Sequence, residues 1–234
     1  MRNIMAYTTM LNRMYGMLGR VLAYACLFED QVQKVSATLK LKKHPDIRGE
    51  NQVRELYQRI HKKSLSTNLK SWNINNEHIW KILCSAREAR NKMAHEVPRR
   101  LMEVSLDNNQ MTDAWEEQMY EYFRCMTIQI AQGNLIMYRL QYALSDTKDT
   151  YNPSDKYPEI VADWVLYGPA VYEVLRMLQS DNKFDRYART IPAFCDGTNL
   201  PKEDGFKFVV SLARRYNIMV DTITLANTNS IELT

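Results

Sequence analysis

Glycine and proline are scarce in this sequence, with seven of each among 234 residues. Collagen-like and low-complexity chains are thereby excluded, and few breaks in regular structure are forced. Cysteine is scarcer still. Cys26, Cys84, Cys125 and Cys195 lie far apart and form no Cys-x-x-Cys pair. Three of them fall on apolar helical stripes, which points to reduced, buried thiols in a cytoplasmic protein. The longest apolar stretch, Met14 to Phe28, carries Arg20 near its middle, so no membrane span is expected. No signal peptide is expected either, because Arg2 leads into the mixed run Asn3 to Asn12. Gly-x-Ser-x-Gly, a glycine-rich phosphate loop, His-Glu-x-x-His and an EF-hand loop are all missing. His95-Glu96 lacks the second histidine that a zinc protease needs.

What is present is the balance of an ordinary globular protein: 45% apolar and 25% charged residues. The net charge of +4 conceals a segregation. Residues 1–100 hold 19 Lys and Arg against 8 Asp and Glu, leaving 12 against 19 in residues 101–234. Such an asymmetry sets up a local field that suits a polyanion, nucleic acid foremost. A solvated basic face that pairs with the acidic half in the fold accounts for the same numbers.

The apolar spacing reads as helices. Residues 7–41 place Met10, Met14, Met17, Val21, Ala25, Phe28, Val32, Val35 and Leu39 at steps of three and four. Lys40, Lys42 and Lys43 crowd the end of that helix, and Pro45 stops it. A second helix is expected over residues 50–63, and Ser71 to Asn76 breaks the pattern. The third begins at Asn75 or Asn76 as cap and should stop near Val97, because Pro98 lacks an amide donor. A fourth runs from about Thr112 to Leu144, with Gly133 and Asn134 as a small-residue crossing point. These lengths predict a mainly α fold, an antiparallel bundle of four to five helices over residues 1–148. Residues 149–234 read as a helical extension or accessory domain. There a helix from Glu159 to Gln179 is interrupted at Gly168-Pro169, another covers Lys202 to Tyr216, and a short β-hairpin is expected near Ile218 to Leu233. The thirteen methionines fall on apolar stripes and read as core packing.

One stretch carries chemistry: Arg87-Glu-Ala-Arg90-Asn91-Lys92-Met-Ala-His95-Glu-Val-Pro98. Arg90 is a fixed cation. His95, in a final helical turn, would meet free carbonyls that favour imidazolium. Five residues separate their directions by roughly 140° on an ideal helix, which a long arginine and a frayed last turn can close. A cation and a titratable acid/base suffice for cleavage of a phosphodiester by its own 2′-hydroxyl. A second pair, Arg54 and His61, has a looser spacing and Glu55 beside the arginine, and reads as an ordinary surface helix.

Arg90-Asn91-x3-His95 within a helical bundle resembles the HEPN superfamily, whose mark is Arg-x4-6-His with a polar residue, often Asn, after the arginine. The resemblance covers roughly residues 7–145. It implies a metal-independent endoribonuclease of toxin–antitoxin, phage-defence or CRISPR-linked systems, with no cofactor. It further implies a homodimer whose composite site joins two motifs, restrained by an antitoxin or regulatory protein. Arg90 and His95 would be catalytic, and Asn91 would orient the phosphate or the histidine. Other HEPN domains have lost catalysis and serve as nucleotide-binding or assembly modules, so a noncatalytic RNA-binding or interaction module stands as the alternative.

RNA would be held by Lys81, Arg87, Lys92, Arg99 and Arg100, on the same helix or just after it. Trp72 and Trp80 are candidates for stacking on unpaired bases, with a core anchor as the other reading of Trp80. His44, His61, His78 and His95 recur every 17 residues, so no two stand at metal-ligand spacing.

Overall fold

A computed structural model describes residues 4–106, 112–145 and 152–168 of the chain. Among them the fold is mainly α, a packed helical bundle. The expected helix at Lys202 to Tyr216 and the β-hairpin near Ile218 to Leu233 lie outside the described residues.

Helix α1 (Ile4–Lys43) supplies the axis of the core. Its three-and-four spacing buries Met10, Met14, Met17, Val21, Ala25, Phe28, Val32 and Val35. Three lysines close its last turn, and Lys42 Nζ donates to the Leu144 carbonyl at 2.9 Å. Helix α2 (Glu50–His61) sets Leu56 and Ile60 against Ala37 of α1. Helix α3 (Leu65–Lys70) is not expected from the sequence, because six residues carry too little periodicity to register. Ser64 caps it, accepting from the Thr67 amide at 3.1 Å.

Helix α4 (Glu77–Asn91) starts where its cap predicts, with Asn76 Oδ1 accepting from the Ile79 amide at 3.1 Å. It buries Leu83, Ala86 and Ala89. Helix α6 (Asp113–Leu144) is capped by Thr112. Gly133 of α6 is the crossing point that the sequence suggests. A Cβ placed there would stand 2.5 Å from the Ala86 Cβ and 2.9 Å from Phe28 Cε2. Only a residue without a side chain lets α1, α4 and α6 approach this closely.

Two expectations are corrected. Pro98 does not end the third helix at Val97. The chain passes from α4 into a π turn, Lys92–Glu96, and continues as α5 (Val97–Leu106). Within the π turn the Val97 amide donates to the Lys92 carbonyl, five residues back. The wider turn gives the proline ring room against the carbonyl four residues earlier, and Pro98 sits in the first turn of α5, where its missing donor costs least. The second correction concerns thiols. Cys26 and Cys125 are exposed and Cys84 is half-buried. Cys26 directly follows Ala25 of the buried stripe, and one step along a helix turns a side chain through about 100° toward solvent.

Helix α7 (Tyr157–Tyr167) lies beyond the boundary expected at residue 148, yet it packs on the bundle. Arg124 pairs with Glu159 at 2.7 Å, the Trp164 ring meets Tyr24 edge-on, and Arg20 Nε donates to the Val165 carbonyl at 2.7 Å. The first compact unit therefore extends to Leu166. Helix α7 ends at the glycine that the sequence marks, Gly168, whose φ of 75° is left-handed.

Candidate active site

The motif residues sit across the junction of α4 and the π turn. Leu83, Ala86, Ala89 and Met93 hold this segment to the core, each fully buried. Arg90, one step past Ala89, emerges at the rim of the core with about a quarter of its side chain exposed (26%). Its guanidinium is held from two sides. Nη2 donates to Glu29 Oε2 of α1 at 2.5 Å, and Nη1 donates to Asn91 Oδ1 at 3.2 Å. Asn91 thus acts on the arginine, a contact that differs from the orienting of phosphate or histidine expected for it.

His95 is exposed. The free helix-end carbonyls expected beside it are absent, because the backbone runs on into α5. What takes their place is geometric. A π turn closes its hydrogen bonds over five residues rather than four, so side chains five apart point in more similar directions than the roughly 140° of an α-helix. Insertions of this kind recur at functional sites. His95 stands exposed to solvent and Arg90 stays about a quarter exposed, so both can be reached by a polyanion.

Glu96, next to His95, belongs to a second cluster. Its charge acts on Tyr122 of α6, and Arg100 Cζ lies 5.8 Å from the centre of that ring. Burial raises the Tyr122 phenol above its ordinary pKa, the Glu96 charge adds to the rise, and Arg100 opposes it.

The remaining candidates are distributed as follows. Arg87 Nη1 donates to Ser66 Oγ of α3 at 3.0 Å and its other arm reaches Glu88 at 3.5 Å. Lys81 pairs with Glu77 at 2.8 Å and Arg99 lies 3.7 Å from Glu103, both along one helix and in solvent. Lys92 is exposed within the π turn. Trp72 is half-buried, and its indole Nε1 donates to the buried Ser36 hydroxyl at 2.8 Å. That bond makes Trp72 an anchor of the α3–α4 connection to α1 and leaves it a poor free platform for bases. Trp80 is half-buried as well.

Glu29 is the residue that the sequence reading missed. A signal was available: position 29 directly follows buried Phe28 and precedes buried Val32 by three, so its charge borders the core stripe of α1. Among the described residues no three His, Cys, Asp or Glu side chains gather as metal ligands, and no helix is long and apolar enough to cross a membrane. No protein family, curated protein or solved structure matches this chain.

Proposed function

We propose that this chain is a metal-independent endoribonuclease, and that Arg90 and His95 act on one phosphodiester. The 2′-hydroxyl attacks the adjacent phosphorus while His95 moves a proton and Arg90 stabilises charge on the nonbridging oxygens. The products are a 2′,3′-cyclic phosphate and a 5′-hydroxyl. The nucleophile is internal to the substrate and the developing charge falls to a guanidinium, so the reaction calls for no metal. One observation carries the reading: a half-buried, doubly held arginine at the end of α4 is followed by a solvent-exposed histidine within a π turn, in a helical bundle.

Around that centre, Lys92, Arg99 and Arg100 hold the RNA backbone. The site is completed by the same motif of a second copy, so that two imidazoles serve as acid and base. The setting is a cytoplasmic toxin–antitoxin or phage-defence system, with an antitoxin or regulatory protein as restraint. The Arg90–Glu29 pair favours one other reading, a noncatalytic helical RNA-binding or interaction module in which Arg90 only ties α4 to α1.

Cleavage of RNA by the wild-type and His95→Ala proteins separates the two. The ribonuclease reading expects His95→Ala to lose about 10²- to 10⁴-fold in rate while keeping its helical content and RNA affinity. Undiminished cleavage by His95→Ala defeats the mechanism, and a wild-type protein that binds RNA without cutting it points to the module. Mixing Arg90→Ala with His95→Ala chains should restore part of the activity if each site draws on two copies.

A further inference from the structure

We infer that Glu29 is the positioning residue of Arg90: its carboxylate aims the guanidinium at the scissile phosphate. The inference rests on the ribonuclease reading above and deepens it. Several ion pairs of this chain lie along one helix and in water. Glu50–Arg54 is 87% and 67% exposed, and Glu77–Lys81 is 80% and 71% exposed. Such pairs are worth little, because solvent screens them and both side chains wander. Glu29–Arg90 is different in kind. It joins α1 to α4 over 61 positions, and its side chains are 29% and 26% exposed. The backbone that carries Glu29 is anchored, since Phe28 beside it and Val32 one turn on are fully buried.

The donor arithmetic leaves Arg90 able to act. A guanidinium carries five N–H donors in one plane. Glu29 takes one on Nη2 and Asn91 one on Nη1. These two acceptors fix the plane from either side, and the remaining donors are free for phosphate oxygens. A group aimed in advance at developing charge needs no reorganisation when the charge appears. The same carboxylate repels the ground-state phosphate, so positioning and tight binding pull in opposite directions. That conflict gives the inference its signature, a loss in rate without a loss in affinity.

The test uses the full chain. Single-turnover cleavage of an end-labelled RNA oligonucleotide is measured for wild type, Glu29→Gln and Glu29→Asp. RNA affinity is measured with and without Glu29→Gln in the noncleaving His95→Ala background, and the Tm of every variant is recorded. The expected result is a rate lowered about 10- to 100-fold in Glu29→Gln, as for a reacting group displaced by about 1 Å. Affinity stays equal or rises, and Glu29→Asp, which keeps the charge, recovers part of the rate. A Glu29→Gln protein that cleaves within about twofold of wild type, or faster, overturns the inference while leaving the ribonuclease reading intact. So does a loss that follows the folded fraction equally in both variants. A wild-type chain that cleaves no RNA overturns the ribonuclease reading, and this inference with it.

Discussion

Two arginine–histidine pairs stand on helices of this protein, and they have different surroundings. Arg54 and His61 lie on α2, an uninterrupted helix that ends at His61. Arg54 pairs with Glu50 of its own helix in full solvent, at 3.1 Å. Arg90 and His95 span the junction of α4 and a π turn, and Arg90 pairs with Glu29 of another helix at the rim of the core. All four histidines of the chain, including His61 and His95, are exposed, so exposure does not tell the pairs apart. What separates them is the origin of the carboxylate and the register of the backbone. A local pair follows from helical spacing alone. A cross-helix pair at a widened turn exists only because tertiary packing puts it there.

Removing each pair in turn should give the largest difference. Arg90→Ala should lower RNA cleavage by about 10²- to 10⁴-fold, and Arg54→Ala and His61→Ala should leave it within about twofold. Equal losses from both pairs would reduce the motif to one more patch of basic surface.

Packing offers the next largest effect. Ile60→Ala opens a cavity where α2 meets α1 and should cost about 2–5 kcal/mol, read as a lower urea midpoint. Cleavage per folded molecule should hold, because α2 carries no part of the site. Gly133→Ala should cost less, about 1–3 kcal/mol, through the close approach of Ala86 and Phe28. Its Cβ presses on Ala86 of α4, four residues before Arg90, so cleavage per folded molecule should fall as well as Tm. The smallest effect belongs to the exposed pair of α2. Glu50→Ala should change stability by no more than about 0.5 kcal/mol in denaturant titrations.

Much of the scaffold was legible in the sequence. The period of α1, the Asn76 cap of α4, the start of α6 near Thr112 and the glycine at position 133 are local signals with local causes. The π turn was not legible. Proline at 98 reads as a stop under α-helical rules, and the shift to five-residue hydrogen bonds that accommodates it leaves no mark in residue type. Six-residue α3 is too short to show a period, and α7 is separated from the bundle by a polar, proline-bearing stretch that reads as a boundary. The candidate site was half legible. Arg90, Asn91 and His95 announce themselves by spacing, but Glu29 lies 61 positions from Arg90 and meets it only in the folded chain. Trp72 shows the converse, an aromatic in a polar loop that resembles a free platform until its bond to Ser36 is seen.

The central claim is that a guanidinium and an imidazole at this turn cleave RNA through its own 2′-hydroxyl. The most direct measurement is end-group analysis of RNA incubated with the full chain in excess chelator. The account predicts 2′,3′-cyclic phosphate or its hydrolysed form opposite 5′-hydroxyl ends, lost with His95→Ala; fragments bearing 3′-hydroxyl and 5′-phosphate ends, or RNA left whole, would contradict it.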